Sequence, residues 1–170
     1  MKNKIFSFDA ETDGLWGKAF TIAAVVIEDG IVTKKFVAKI DTVVYHAWVI
    51  KNVLPIIAKQ KITHSSYEEM LKAFSEFYYE NKKDSEIITH MGYVVESKII
   101  RDMYDYGFIG ERGGPYPLID ISGNLQQAGF DPTSVDPYAK AHNIHIDGTA
   151  HDPLYDSIIT GMVYNHLRKL

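Results

Sequence analysis

The feature that most constrains this chain is the segment "AFTIAAVVIEDGIVTKKFVAKI", residues 19–40, in which two β-rich runs meet at Asp29-Gly30. An Asp-Gly pair supplies the positive φ that a tight hairpin turn requires, so the segment predicts two antiparallel strands. The preceding run, "KNKIFSFDAE", reads as a further strand, so the sheet starts antiparallel. Downstream the order alternates. In "SYEEMLKAFSEFYYEN", Ser66 and Glu69 have capping-box spacing, and Met70, Leu71, Phe74, Phe77 and Tyr78 recur at helical period. A strand "EIITH", a helix "VESKIIRDMYDYG" and a strand "PLIDI" follow. A last helix begins at Asp152-Pro153, where the acid caps and the proline loses no hydrogen bond. The glycine-rich "GFIGERGGPYP" predicts a mobile loop. No repeat, low-complexity tract or long linker divides the 170 residues, which predicts one α/β domain over 1–170.

Inside the first strand, "FDAETDGL" poses an electrostatic problem. Alternate strand positions share a face, so Asp9 and Glu11 lie side by side, with Phe6, Phe8 and Ala10 on the other face. Two adjacent carboxylates repel, and burying them without a partner costs several kcal/mol or forces protonation. Two more acids lean inward. Glu96 shares a helix face with Ile99, Ile100 and Met103, and Asp156 shares one with Ile159, Thr160 and Val163. Four such carboxylates, two on the strand and one on each of two helices, call for a compensating cation, and their hard oxygen donors suit Mg²⁺ or Mn²⁺.

Composition narrows the field. With 46% hydrophobic and 24% charged residues the chain is able to bury a core, and with no cysteine it has neither thiolate metal site nor thiol nucleophile. That suits a reducing compartment, and the cytoplasm is the expected location. The opening "KNKIFSFDAETD" has too short an apolar run for a signal peptide or membrane span. A net charge of −4 argues against a broad basic footprint, but not against a narrow contact with the end of a nucleic acid.

These residues carry a family resemblance. "DAETDGL" resembles the first motif of the DEDDh 3′–5′ exonucleases, Asp-x-Glu-Thr-x-Gly-Leu, the group of polymerase proofreading subunits, ribonuclease T and oligoribonuclease. "HDPLYD" resembles the third motif through His151 and Asp156. "HMGYVVESKII" occupies the place of the second, usually Gly-His-Asn-x-x-Phe-Asp, with His90 on the glycine, Met91 on the histidine and Glu96 on the aspartate. "PLIDIS" resembles the Asp-Thr strand end between the second and third motifs.

The resemblance implies a ribonuclease H-like fold: a mixed five-stranded sheet, its first three strands antiparallel and the rest parallel, flanked by helices. It implies hydrolysis of phosphodiester bonds at single-stranded DNA or RNA 3′ ends, releasing nucleoside 5′-monophosphates. Two ions, Mg²⁺ or Mn²⁺, would be held by Asp9, Glu11, Glu96 and Asp156, with Asp9 bridging and His151 as general base. Histidine suits that task because its side chain titrates at about 6.5. Thr12, Gly14, Leu15 and Trp16 would meet the terminal nucleotide: Thr12 at the sugar, Leu15 as a wedge near the base, Trp16 as stacking surface. Phe20 reads as core, Lys98, Arg101 and Lys140 as candidate phosphate contacts, and the other six histidines as surface or packing. No residue specifies a homodimer or a polymerase partner.

Glu96 is the departure from the family pattern. Glutamate keeps the charge but adds a methylene and a rotatable bond, which a set-back helix or an intervening water would absorb. Two other readings stand beside the active exonuclease: a degenerate nuclease-fold module that binds strand ends or a protein without cleaving, and a hydrolase of small phosphodiesters on the same scaffold.

Overall fold

The computed structural model describes residues 4–169. Its sheet has the order β3-β2-β1-β4-β5. β1 (Lys4–Thr12), β2 (Ala19–Glu28) and β3 (Ile31–Lys39) form the antiparallel part, while β4 (Glu86–Thr89) and β5 (Leu118–Asp120) add parallel to β1. Asp29 and Gly30 turn the hairpin at φ 52° and 83°, as the Asp-Gly pair predicts. The expected start of β1 at Lys2 and Asn3 lies outside the described residues.

Strand alternation divides the core into two layers. Phe6, Phe8 and Ala10 face α3 (Tyr67–Asn81) and α4 (Val95–Asp105), where the Phe8 ring lies 5.4 Å from that of Phe74. Burial of each such ring contributes about 1.5–3 kcal/mol. Ile5 faces the other layer with Val25 and Ile27, covered by α5 (Ser122–Gln127), α6 (Asp136–Ala141) and α7 (Pro153–Leu167). Gly161 lets α7 cross the sheet closely: a Cβ there would stand 2.4 Å from Ile27 Cδ1 and 3.3 Å from Ser7 Cβ. Among the described residues, no helix is long and apolar enough to cross a membrane.

The predicted helices form with their caps. Ser66 accepts from the Glu69 N–H at 3.2 Å, but the Glu69 carboxylate bonds Ser65 instead of closing the box on Ser66. Asp152 accepts from the Leu154 N–H at 3.0 Å and starts α7 at Pro153. Two short helices, α1 (Ala47–Asn52) and α2 (Leu54–Ile57), fill a stretch without a sequence assignment, as do α5 and α6. In the glycine-rich loop, the Gly113 carbonyl accepts from the Tyr78 hydroxyl at 3.2 Å and from Lys82 Nζ at 2.6 Å.

Candidate active site

The site forms where β1 outruns β4. The last residue of β1 paired with β4 is Ser7, and Asp9 and Glu11 lie beyond it. On the other side their β2 partners are Ala23 and Thr21, whose small side chains leave the carboxylates room. α7 delivers Asp156 from one layer, held in register by Ser157, whose hydroxyl donates to the Ala23 carbonyl at 3.2 Å. Ile159, Thr160 and Val163 are buried, so Asp156 does share an inward face.

Glu96 arrives from the other layer. It opens α4 in a turn where Ile99 and Met103 are buried, and is itself only 3% exposed. Its Oε1 accepts from the Ala10 N–H at 3.2 Å. With β4 already ended, this side chain occupies the place of a missing strand and satisfies a buried donor. The added methylene therefore serves a backbone bond that the residue pattern does not reveal.

His151 sits at φ 71° in the turn before α7. Its N–H donates to Asp156 Oδ2 at 2.8 Å, and its Nδ1 lies 3.8 Å from Glu11 Oε1. Glu11, His151 and Asp156 each offer a ligand atom, all within 4.8 Å of one another. Trp48 on α1 packs edge-on to the imidazole at 5.2 Å and 90°.

The acids raise one another's proton affinity. Burial, then Glu96, Asp156, Glu11 and Asp152, push Asp9 well above the usual carboxylate range. Burial, then Asp156, Glu96 and Asp152, push Glu11 up to about 8. Burial likewise lifts Glu96 to about 8, against the N–H bonds of its own backbone and of Ala10 and with the help of Asp120. Asp156 rises to about 7 through burial, opposed by the His151 N–H and assisted by Asp152 and Asp136. Such a cluster is unfavourable as four free anions and favourable around a divalent cation. The donor set fits Mg²⁺ or Mn²⁺.

The turn after Glu11 places the other predicted residues. Thr12 is buried, and its hydroxyl donates to the Gly14 carbonyl at 2.7 Å, so toward a sugar it has only acceptor capacity left. Gly14 takes φ 73°, and His46 stands 3.0 Å from where its Cβ would be. Leu15 and Trp16 project into solvent, and Trp16 is 69% exposed, 6.3 Å edge-on from the ring of Tyr93. Phe20 is core. Lys98 and Arg101 are paired with Asp102 and Asp105 on α4, and Lys140 is on α6, outside these contacts.

Several contributors carry no motif. Asp13 accepts from the Tyr45 and His46 N–H groups and ties the turn to the segment before α1. Gln60 donates to Asp152 at 3.1 Å and accepts from Thr21 at 3.1 Å. Asp120 accepts from the Met91, Gly92 and Ser122 N–H groups, and these bonds outweigh its burial and hold it below the usual range. The Asp at the end of "PLIDIS" is the one sequence signal among them.

No protein-family model and no curated protein matches the chain. Solved structures do. The nuclease domain of 3'hExo, a DEDDh family member, bound to rAMP, is similar at TM-score 0.71 and 12% identity, over 99% of this chain and 92% of that one. S. pombe Pop2p in its Mg²⁺ and Mn²⁺ bound form gives 0.68 at 15%, over 97% and 82%. Exonuclease X in complex with 5′ overhanging duplex DNA gives 0.60 at 18%, over 97% and 91%. In the complex of the 3′-exonuclease with the histone mRNA stem-loop, this chain spans only 64% of the other chain's length. These likenesses define the fold: the chain has a ribonuclease H-like mixed sheet flanked by helices, as these structures do.

Proposed function

We propose that this protein is a metal-dependent 3′–5′ exonuclease acting on single-stranded nucleic acid ends. The observation that carries the reading is the meeting of Asp9, Glu11, Glu96 and Asp156 beside His151, from three elements, with their proton affinities raised. Asp9, Glu11 and Asp156 would hold two ions, Mg²⁺ or Mn²⁺, with Glu96 acting on the second through its remaining oxygen. When bound, the ions supply the charge that offsets the acids, activate water and stabilise the leaving 3′ oxygen. His151 takes the proton from the attacking water. The 3.8 Å approach of Glu11 and the edge of Trp48 hold the imidazole in place, and the Asp156 bond fixes its backbone. Thr12 and Gly14 would seat the terminal sugar, and Leu15 and Trp16 would meet the last base.

The test is incubation of 5′-labelled single-stranded DNA and RNA with Mg²⁺ or Mn²⁺. Stepwise shortening from the 3′ end with release of nucleoside 5′-monophosphates is expected, and Asp9→Ala and His151→Ala abolish it. Intact oligonucleotide with folded, metal-loaded protein overturns the reading. The Glu96–Ala10 bond favours one alternative, binding without cleavage, because it engages one carboxylate oxygen of the divergent residue. Retained end-binding with no product would select it.

A further inference from the structure

A groove runs away from the candidate site toward the opposite end of the sheet. Its upper part is a cavity of about 290 Å³ that starts at Ser97, one residue past Glu96, and is walled by Tyr104. Its lower part, about 570 Å³, is lined by Tyr79, Lys82 and Lys83. The two adjoin at Gly114, Pro115 and Tyr116. Tyr116 stands at the junction, 92% exposed, while Tyr104 and Tyr79 are also solvent-facing.

The lower end carries two adjacent lysines, Lys82 and Lys83, in a chain of net charge −4. Of the lining lysines, Lys82 Nζ donates to the Gly113 carbonyl, and at the margin of the groove Lys4 Nζ donates to the Lys83 carbonyl. Both bonds are to neutral backbone oxygens, which leave the ammonium charge uncancelled. Lys82 also lies 4.4 Å from the Tyr79 ring centroid. Acids lie along the groove as well: Glu86 is paired with Arg168, Asp84 is exposed between Lys83 and Ser85, and Glu111 faces solvent at the upper part.

We infer that this groove is a second nucleic-acid contact, taking the single strand upstream of the end held at the candidate site, with bases against Tyr104 and Tyr116 and phosphates against the lysines. Tyrosine faces stack any base, and lysines meet one phosphate per nucleotide, the combination that sequence-tolerant single-strand binding requires. An acidic peptide would match the charge but not the spaced rings. The direction of the strand rests on the exonuclease reading, whereas binding in the groove does not. Lys4, at the lower end, opens the nine-residue strand that carries Asp9 and Glu11, a length of about 25 Å at about 3.3 Å per residue. A strand of several nucleotides is needed to reach from one end to the other.

The experiment measures fluorescence anisotropy of 5′-fluorescein single strands of about 4 and about 12 nucleotides, as DNA and as RNA, in EDTA at low salt. Without metal the acids repel the 3′ end, so binding reports the groove alone. The longer strand is expected to bind the unaltered protein, with affinity falling about fivefold or more in Tyr116→Ala and in Lys83→Glu. Tyr116→Phe retains it, and the short strand binds weakly to every variant. Thermal melts establish that the variants are folded. Equal affinity of unaltered protein, Tyr116→Ala and Lys83→Glu for the longer strand overturns the proposal, as does its displacement by polyglutamate at matched charge. Groove-dependent binding without hydrolysis under Mg²⁺ would reject the exonuclease reading and leave the groove standing.

Discussion

Glu11→Gln separates the electrostatic cost of the site from its use. The Glu11 carboxyl is pushed from 4.5 up to about 8, first by burial and then by Asp156, Glu96 and Asp152. At about 1.4 kcal/mol for each tenfold change in proton affinity, that rise corresponds to on the order of 5 kcal/mol. The side chain is 14% exposed, so solvent screens little of it, but neighbouring acids relax when one charge goes. A realised gain of about 2–3 kcal/mol at pH 8 is expected in the ion-free variant. The sign follows from linkage. Below about pH 4.5 the carboxyl is protonated folded and unfolded, and its contribution to stability is fully present. As pH rises from about 4.5 to 8 the unfolded chain releases the proton first, so the unaltered protein loses stability across that window. The glutamine variant loses less, and the difference between the two is small at pH 5 and largest above pH 8. Urea denaturation in EDTA from pH 5 to 9, repeated with Mn²⁺, reads both effects. Mn²⁺ should stabilise the unaltered protein strongly and the variant little. Parallel pH profiles in EDTA, or equal stabilisation by Mn²⁺, would refute the reasoning.

Glu96→Asp withdraws the carboxylate from the Ala10 N–H and leaves a buried donor unsatisfied, costing about 1–3 kcal/mol in a urea melt and lowering single-turnover cleavage. Glu96→Gln keeps the acceptor and, by the same linkage as Glu11→Gln, gains ion-free stability as pH rises toward 8, but lowers cleavage further, most at limiting Mg²⁺; a large gain of activity in Glu96→Asp would identify a decayed site. Trp48→Ala frees the imidazole of His151 and is expected to lower kcat about tenfold with KM nearly unchanged, while Trp48→Phe restores most of it. A rise in KM alone in steady-state assays would make Trp48 a substrate contact instead.

Local patterns determined much of this molecule. Asp29-Gly30 sets the hairpin, Ser66 and Asp152 start their helices, and the alternation of β1 puts Asp9 and Glu11 on one face, because turn geometry, capping and strand period act over a few residues. The inward lean of Glu96 and Asp156 is likewise a helical-period property. Tertiary structure decided what those acids meet. That Glu96 bonds Ala10 depends on β4 stopping short of the end of β1, a comparison between strands some eighty residues apart. That Trp48 reaches His151 and Gln60 reaches Asp152 depends on how α1 and the turn after α2 dock. The lysines and tyrosines of the groove come from α3 and the turn after it, α4 and the loop before β5, and no periodicity links them. Burial and charge proximity raise the acids' proton affinities, and both exist only once distant segments exclude water from one point.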